Sequence, residues 1–310
     1  MSRNHPIGSK LVASAVSRRR FVAAIGSGAL LGLRTTRAAQ PTQDKESSER
    51  LVDTNVSFSR WPLRRLPCDE TPKLVAKLRS HGVTSAWTGT FDALLHKDIR
   101  SANARLTAEC KSHGDGLLIP FGSVNPMLPD WEEDLRFCVE AHEMPGIRLH
   151  PNYHGYRLDD PLFAQLMTLA AERGLIVQVV VHMEDERMMH RLMRVEPVDT
   201  APLADLLPRW TTARVVLLNA LNRLDSDQLS RIVSSGEVCV DIAMLEGVGG
   251  VERLLATVPH SRILFGSHAP LFYFESATLK LRESALGGAQ LAAIRYQNAE
   301  QLYSSKGAGA

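Results

Sequence analysis

Short apolar runs rich in β-branched residues alternate with longer amphipathic segments, and this alternation limits the folds open to the chain. The run 176–181, Ile-Val-Gln-Val-Val-Val, is almost continuously apolar, as is typical of a strand that helices cover on both faces. Eight runs predict strands, at 51–56, 84–87, 117–121, 146–149, 175–181, 214–218, 237–242 and 262–265. Eight strand–helix units over about 250 residues predict a (β/α)₈ barrel.

An open, doubly wound sheet is the alternative arrangement of the same units. No Gly-x-Gly-x-x-Gly motif follows the first predicted strand, which disfavours the dinucleotide-binding form of that fold. We therefore expect a single TIM-like barrel over residues 50–304, preceded by a polar linker at 41–49 and followed by a flexible tail at 305–310.

Residues 1–40 predict an export signal that lies outside the fold. Three arginines at 18–20 precede an apolar, glycine-containing run that ends near Leu33, and this order is typical of secretory signals. The motif Ser-Arg-Arg-x-Phe-Val at 17–22 resembles the twin-arginine signal. The alternative is a basic, disordered N-terminus with a short apolar anchor. We expect twin-arginine export to the periplasm or another extracytoplasmic compartment, and no membrane contact once the signal is removed.

The charge balance excludes one broad class of function. The 310 residues include 36 Lys+Arg against 34 Asp+Glu, a formal net charge of +2, whereas nucleic-acid-binding domains are usually strongly basic. An aromatic content of 6% is also low for a surface that stacks single-stranded bases. We therefore expect a small-molecule substrate and no nucleic-acid partner, and leave open whether the chain forms a homo-oligomer.

Polar residues stand where the predicted strands end, and catalytic groups of an α/β barrel lie at the C-terminal ends of the strands. These positions hold Asp53, Asn55 and Ser57 on strand 1, Arg148 and His150 on strand 4, His182 on strand 5, Asn219 on strand 6 and His268 on strand 8. The strand ends therefore predict one polar site at one end of the barrel.

Three short motifs carry a resemblance to a known family. They are Gly-Ile-Arg-Leu-His-Pro at 146–151, Ile-Leu-Phe-Gly-Ser-x-x-Pro at 263–270 and Asn-Ala-x-x-Leu-Tyr at 298–303. In this order and spacing the chain resembles, from about residue 51 to 303, the amidohydrolase-related family (amidohydrolase 2 type). The resemblance implies a distorted (β/α)₈ barrel that holds one or two divalent metals and activates water to attack an ester, lactone or amide. Some members of the family decarboxylate aromatic or unsaturated acids instead.

The metal ligands that the resemblance implies are mostly replaced. Asn55 and Ser57 stand in place of a His-x-His pair, Asn219 in place of a second histidine and His268 in place of an aspartate, while His182 is retained. Amide and hydroxyl groups are poor zinc ligands, so we expect a degenerate site without a tightly bound metal.

Two metal-binding alternatives remain open. His182 and His268 could bind one divalent metal, with zinc expected, together with Asp53 or His150. Oxygen atoms of Asp53, Asn55 and Ser57 could instead bind magnesium or calcium.

A barrel without a metal can still transfer protons. His268 stands where the family's general base stands, and a neutral imidazole can accept a proton from water. His182 is the second candidate for proton transfer. Asn55 and Asn219 could donate hydrogen bonds to a developing oxyanion.

The other predicted site residues are candidates for substrate binding. Arg148, together with His150, could hold a substrate carboxylate through paired hydrogen bonds, which predicts a small acidic substrate. In the alternative, Arg148 forms a structural ion pair with Asp53 or Asp241. Further hydrogen-bonding and stacking groups come from Arg60, Trp61 and Asn152.

Three functions fit these residues. The first is an exported hydrolase of a small acidic ester, lactone or amide, with His268 as general base. The second is a decarboxylase on the same scaffold, in which His182 and His268 move the proton. The third is a catalytically inactive barrel that binds an anion.

Overall fold

The structure, a computed structural model, describes residues 50–305. The predicted export signal at 1–40 and linker at 41–49 lie outside the described residues, as does the predicted tail beyond Ser305. Between Val52 and Ser304, strands and helices alternate as the sequence predicts.

Nine short strands in this part of the chain form the wall of a barrel. They are β1 (Val52–Phe58), β2 (Ser85–Thr90), β3 (Leu118–Pro120), β4 (Gly122–Ser123), β5 (Gly146–Leu149), β6 (Ile176–Val180), β7 (Arg214–Leu218), β8 (Glu237–Asp241) and β9 (Ile263–Leu264). Their hydrogen bonds form two parallel sheets, β1–β2–β3 and β4 to β9 in chain order. Phe121 separates β3, which lies within the predicted strand at 117–121, from β4, which lies just beyond it. The other eight observed strands correspond to the eight predicted ones, and β4 is the one that was not predicted.

The chain after β9 pairs with β1 and closes the barrel. Thr54 N donates to Phe265 O, and Ser57 N donates to Ala269 O, both at 2.9 Å. This closure confirms the predicted (β/α)₈ barrel, because an open doubly wound sheet would leave its two edge strands unpaired. The predicted strand at 262–265 is reduced to Ile263–Leu264, since the backbone beyond Leu264 bonds to β1 rather than to β8.

Helices surround the strands. They are α1 (Thr71–Ser80), α2 (Ile99–His113), α3 (Trp131–Glu140), α4 (Pro151–His154), α5 (Pro161–Glu172), α6 (Leu203–Leu206), α7 (Ser226–Ser234), α8 (Gly250–Leu254), α9 (Phe274–Arg282), α10 (Gly288–Ala292) and α11 (Asn298–Ser304). A π-helical turn at Ala293–Gln297 joins the last two. Over residues 50–305, none of these helices has the length and apolar character needed to cross a membrane.

Apolar strand residues pack against the helices, and polar strand residues fill the interior. Leu135 of α3 and Phe163 of α5 belong to the same buried apolar cluster as Ile147 of β5 and Val177 of β6. Burial of this apolar surface is the main stabilising contribution to such a fold. The buried polar strand residues include Asp53, Asn55, Ser57, Arg148, Gln178 and Asp241. They hydrogen-bond to one another and to the backbone across the barrel, so the interior is polar.

One long segment without regular secondary structure, 181–202, joins β6 to α6. It begins at the C-terminal end of β6, the end of the barrel where the predicted site residues lie. Among the described residues, it is the longest connection at that end of the barrel.

Candidate active site

The predicted polar residues of several strands meet in the interior at the C-terminal end of the barrel. The side chains come from β1, from β5, and from the ends of β6, β7 and β8, with His268 following β9. Asn55, Asn219 and His268 are each at most 1% exposed. The structure thus brings these predicted catalytic residues together, and it closes them off from bulk water.

Two asparagines and one aspartate form a chain of hydrogen bonds across this interior. Asn55 Nδ2 donates to Asn219 Oδ1 at 2.8 Å and to Asp241 Oδ2 at 2.7 Å. Asp241 Oδ1 in turn accepts from Asn219 N at 2.8 Å. Both amide hydrogens of Asn55 are therefore used within the protein. The side chain positions Asn219 and Asp241, and it has no hydrogen left to donate to the predicted oxyanion.

Local backbone geometry fits these contacts. Asn219 has a φ of 58°, in the left-handed region that asparagine tolerates better than most residues, and its side chain turns back onto Asn55. A Cβ on Gly266 would lie 2.5 Å from Asp241 Oδ2. Glycine at 266 is therefore required for the chain after β9 to approach the carboxyl group of Asp241.

Arg148 lies at the centre of the barrel with its hydrogen-bond donors occupied. Nε donates to Gln178 Oε1 at 2.7 Å, Nη1 to Val56 O at 2.7 Å and to Ser57 Oγ at 3.1 Å, and Nη2 to the carbonyls of Trp87 at 3.1 Å and Thr54 at 3.4 Å. A guanidinium group has five N–H donors, so none is left for a ligand. The predicted role of Arg148 as a carboxylate anchor thus has no free donor, and its task is to tie β1, β2 and β6 to β5.

The environment of Arg148 is built for a buried cation. A Cβ on Gly89 would lie 2.8 Å from both Cδ and Nη1 of Arg148, so the absence of a side chain at 89 makes room for it. Burial lowers the pKa of Arg148 to about 10, against the attraction of the carboxyl groups of Asp241 and Asp53. The guanidinium therefore stays charged at neutral pH. Its hydrogen-bond partners are neutral groups, so the ion pair with Asp53 or Asp241 that was the structural alternative is not formed as a direct contact.

Two buried carboxyl groups titrate near neutral pH. Asp53 Oδ1 accepts from Asn55 N at 3.1 Å and from Ser267 N at 2.9 Å, whereas Oδ2 has no hydrogen-bond partner among the described residues. Burial raises the pKa of Asp53 to about 7 and the pKa of Asp241 to about 6. Such values identify Asp241 and Asp53 as candidates for proton transfer or for electrostatic tuning.

The ring of His268 is fixed by the long segment after β6. Nε2 lies 2.7 Å from Met183 O, and a carbonyl only accepts, so Nε2 carries the hydrogen and Nδ1 carries the lone pair. Asn219 Nδ2 lies 3.3 Å from Nε2 and 3.5 Å from Nδ1, so this amide group lies beside the ring and not at Nδ1 alone. Burial lowers the pKa of His268 to about 4, and the ring is therefore neutral over the physiological range.

His182 has the opposite tautomer. Its Nε2 lies 2.9 Å from Arg223 Nη2, and because a guanidinium only donates, the hydrogen of His182 is on Nδ1. That Nδ1 makes no hydrogen bond of normal geometry within the described residues. Burial and then the charge of Arg223 lower the pKa of His182, while the carboxylates of Glu186 and Asp185 and a hydrogen bond with the backbone of Glu184 oppose this shift. His182 therefore presents a neutral N–H donor.

His150 is a second buried imidazole with an open nitrogen. It is 3% exposed, its ring centroid lies 6.0 Å from that of His154, and its Nδ1 has no hydrogen-bond partner in the part of the chain described. Burial holds the pKa of His150 well below its ordinary value. It is thus a neutral group rather than a cationic anchor.

The remaining predicted binding residues lie at different depths. Trp61 is buried, with its ring edge against Phe91 at a centroid distance of 5.1 Å, and Arg60 beside it is exposed. Asn152 Nδ2 donates to Glu196 O at 3.0 Å, which ties α4 to the segment 181–202. Trp61 is therefore buried against Phe91, while Asn152 holds the segment 181–202 against α4.

The segment 181–202 covers the site. Besides the contact of Met183 with His268, the buried Glu184 accepts from Arg64 Nη1 at 2.5 Å, and Glu186 pairs with Arg223 at 3.0 Å. One cavity of about 300 Å³ lies between residues 151–158 and the part of this cover at 195–199. None of the predicted catalytic residues, Asn55, His182, Asn219 and His268, lines it. Access to His268 therefore requires the cover to move.

The residues at the family's ligand positions do not fit a metal ion. Asn55 turns its N–H groups inward, Ser57 Oγ accepts from Arg148, and the nearby guanidinium would repel a cation. Within residues 50–305 no group of three or more His, Cys, Asp or Glu side chains is arranged to hold a metal. Neither the zinc set of His182, His268 and Asp53 nor the oxygen-rich set is assembled as a ligand cage.

From the sequence, Asp241 was considered only as a possible ion-pair partner of Arg148 and not as a strand-end site residue. It is the penultimate residue of the predicted strand 237–242 and the last residue of β8, so a charged residue near the C-terminal end of an apolar strand was the available signal. Nothing in the sequence indicates the contacts of the Met183 carbonyl or of the Gln178 side chain. A backbone carbonyl is present at every residue, and an amide in the middle of a strand finds its partners only when the barrel forms.

Comparisons with known proteins agree with this architecture. A family model described as "Amidohydrolase", type 2, matches residues 58–304. None of the curated proteins matches the chain.

Three solved structures illustrate the likeness in fold. A 2,6-dihydroxybenzoate decarboxylase from Rhizobium is 13% identical with a TM-score of 0.64, covering 83% of this chain and 99% of that one. A 5-carboxyvanillate decarboxylase from Sphingomonas paucimobilis is 14% identical with a TM-score of 0.64 and the same coverage of 83% and 99%. An uncharacterized TIM-barrel protein from Bordetella bronchiseptica is 12% identical with a TM-score of 0.63, again covering 83% and 99%. At these identities the likeness extends to the fold alone.

Proposed function

Because the chain belongs to the amidohydrolase family (type 2), we propose that it hydrolyses a small ester, lactone or amide with His268 as the general base. One observation carries the proposal. The Nε2–H of His268 is fixed on the Met183 carbonyl at 2.7 Å, so the opposite nitrogen, Nδ1, is held as a lone pair beside Asn219. A base fixed in one tautomer by a backbone acceptor is the arrangement that general base catalysis needs.

The reaction follows from this tautomer. His268 Nδ1 takes a proton from a water molecule, the water oxygen forms a bond to the substrate carbonyl carbon, and the bond to the leaving oxygen or nitrogen breaks. The proton then passes from His268 to that leaving atom, so the protons balance. A pKa of about 4 for His268 keeps the base neutral and competent at pH 7, although it makes the base a weak one.

His182 supplies the donor for the carbonyl oxygen. Its Nδ1–H is neutral, buried and without a partner of normal geometry in the described chain, and a preorganised neutral N–H can stabilise a developing oxyanion. Asn55 and Asn219 position the base instead, since their amide groups are engaged with Asp241, with each other and with His182 O. No step uses a metal, because the residues at the ligand positions do not fit one.

A substitution at His268 tests the proposal. We expect His268→Asn to lower kcat for ester or lactone hydrolysis by roughly 10²- to 10⁴-fold, the range for loss of a general base. His260→Asn, at an exposed histidine, is the matched control and should leave kcat unchanged. Equal activity of the two variants would reject His268 as the base.

Decarboxylation is the second candidate, and one observation favours it. The pKa of Asp241 is raised to about 6 by burial, so this carboxyl group can hold a proton for delivery to a carbanion. Two of the three similar structures described above are decarboxylases by title. Release of carbon dioxide without water addition, lost in Asp241→Asn but retained in His268→Asn, would favour this function over hydrolysis.

A further inference from the structure

Arg223, in the loop between β7 and α7, joins that loop to the segment 181–202. Its guanidinium has two partners in the segment: Nη2 lies 2.9 Å from Nε2 of His182, and Nη1 lies 3.0 Å from Glu186 Oε1. The backbone nitrogen of Arg223 donates to Ala220 O at 2.9 Å. Arg223 is therefore held both within its own loop and against the cover of the site.

The contact with Arg223 fixes the imidazole of His182. A guanidinium donates and does not accept, so it occupies the lone pair of Nε2 and leaves the hydrogen of the neutral ring on Nδ1. The backbone of His182 is held as well, because its carbonyl accepts from Asn219 Nδ2 at 2.8 Å. With Nη1 on Glu186, the planar guanidinium presents Nη2 to the ring in one orientation. The tautomer and the position of His182 thus both depend on these neighbouring groups.

The charge of Arg223 also affects the opposite nitrogen of the ring. A cation that donates to Nε2 withdraws electron density from the imidazole, and hydrogen bonds in a chain polarise one another where the local dielectric constant is low. His182 is buried, so bulk water screens this effect only weakly. The Nδ1–H of His182 is therefore a stronger donor to a developing oxyanion than it would be with a neutral group on Nε2.

Three other cations near this end of the barrel have different partners. Arg148 directs its donors at neutral groups inside the barrel. Arg64 pairs with Glu184, and Lys280 donates to two backbone carbonyls. Among residues 50–305, Arg223 is the cation that contacts the imidazole of His182. The positive charge at the candidate oxyanion donor therefore comes from Arg223.

We infer that Arg223 is a positioning residue for catalysis: it fixes His182 as the Nδ1–H tautomer and strengthens that hydrogen as a donor to the carbonyl oxygen of the substrate. The inference rests on the proposed function for the role of His182. Imidazole nitrogens are common metal ligands, and here the lone pair of Nε2 is taken by a guanidinium. The same contact thus keeps that nitrogen of His182 from a metal ion.

Nitrogen-15 NMR of the full chain, labelled at histidine, reads the tautomer directly, and His182→Asn identifies the signal. We expect native His182 to carry its hydrogen on Nδ1 at pH 7. Arg223→Met removes the donor to Nε2, and we expect the Nε2–H tautomer to appear in that variant. A native ring with its hydrogen on Nε2, or the same single tautomer in both proteins, would overturn the inference.

Kinetics separate this role from a purely structural one. Arg223→Met should lower kcat for ester or lactone hydrolysis by roughly 10- to 100-fold, less than the loss of a whole oxyanion donor. KM should stay within about threefold, because the lost interaction acts in the transition state. Arg223→Lys keeps a cation with an N–H donor and should retain more of kcat. Unchanged kcat in Arg223→Met, or an equal loss in Arg223→Lys, would overturn the inference.

Arg231→Met is the matched control, because Arg231 pairs with Asp205 at 3.6 Å on the exposed surface of α7. It should leave kcat, KM and the tautomer of His182 unchanged. If Arg223→Met does not fold, the tautomer of the native chain and the kcat of Arg223→Lys decide.

The inference and the proposed function fail in different ways. A change of tautomer in Arg223→Met, in a chain that hydrolyses no ester or lactone, would reject hydrolysis and keep Arg223 as the residue that fixes His182. Hydrolysis that is lost in His268→Asn but unaffected by Arg223→Met would keep the hydrolase and reject the role of Arg223.

Discussion

The imidazole of His268 donates its Nε2–H to the backbone carbonyl of Met183 at 2.7 Å. Met183 belongs to the segment 181–202 that covers the site, so the tautomer of the candidate base depends on the closed position of that segment. Closing the cover and preparing the base are thus one structural event. This relationship leads to predictions about catalysis, the cover, the barrel interior and metal dependence.

The pH dependence of activity should follow His268. A folded-state pKa lowered to about 4 means that the neutral base is lost only as pH falls through that value. We expect kcat/KM to fall below about pH 4 and to show no ionisation of this group near pH 6.5, the ordinary pKa of histidine. Because Asp241 and Asp53 have pKa values of about 6 and about 7, the pH–rate profile is measured on the native chain and on Asp241→Asn and Asp53→Asn. An acid limb centred near 6.5, the ordinary pKa of histidine, that persists in both variants would contradict a buried neutral base.

The free energy of unfolding should depend on pH through Asp53. It should fall as pH rises, whereas activity is expected to fall as pH is lowered. The folded-state pKa of Asp53 is raised from 3.8 to about 7, so the native state binds a proton that the unfolded state releases. The stabilisation from this proton is complete below about pH 4 and is lost as pH rises through about 7.

Asp53→Asn isolates that contribution. We expect the Tm of this variant, relative to the native chain, to be higher at pH 8 than at pH 5, because an amide cannot lose the proton. Asp227→Asn, at an exposed aspartate, is the control and should show no such change between the two pH values. A Tm difference that is constant with pH would show that Asp53 is not the titrating group.

Replacing Arg148 should destabilise the barrel strongly. Arg148→Met leaves the carbonyls of Val56 and Trp87, among other acceptors, buried without donors, and we expect a loss of about 3–5 kcal/mol, as for removal of one partner from a buried charged network. Denaturant unfolding measures this loss. A change below about 1 kcal/mol, the scale of an ordinary hydrogen bond, would contradict the donor network.

Gly89→Ala tests how closely β2 packs against the side chain of Arg148. The added Cβ would lie 2.8 Å from Arg148, and we expect overpacking to cost about 1–3 kcal/mol of unfolding free energy. Gly288→Ala is the control, because a Cβ there meets nothing within 4 Å. Equal unfolding free energies for the two variants would mean that Arg148 moves aside without cost.

The cover should loosen when its ion pair is removed. Glu184→Gln weakens the contact with Arg64, and we expect faster amide hydrogen exchange across residues 183–199 and an altered KM, with the exchange of β5 to β8 unchanged. Glu246→Gln, at an exposed glutamate, is the control. Unchanged exchange in 183–199 would show that other contacts hold the cover closed.

Activity and stability should be independent of divalent metal. We expect substoichiometric zinc, manganese and iron in protein purified without chelator, and the same kcat and Tm after dialysis against EDTA. Near-stoichiometric metal that is lost on His182→Ala or His268→Ala would contradict this and indicate a rearranged site.

The alternation of apolar and amphipathic segments was sufficient to predict the barrel. Two predicted strands, 146–149 and 214–218, coincide with β5 and β7, because a strand buried on both faces has an apolar pattern with clear ends. The C-terminal ends of the predicted strands 1, 6 and 8 also placed Asn55, Asn219 and His268 at one end of the barrel. Sequence order and local periodicity carry this information directly.

The partner of each polar group depended on the tertiary structure. Arg148 reads as a candidate carboxylate anchor in sequence, yet its five donors meet backbone carbonyls and side chains of β1, β2 and β6. Asp241 gained its importance from Asn55 and Asn219, which are 186 and 22 residues away in the chain. A residue type fixes how many hydrogen bonds a side chain can make, but only the packing of distant strands decides which of them remain free for a substrate.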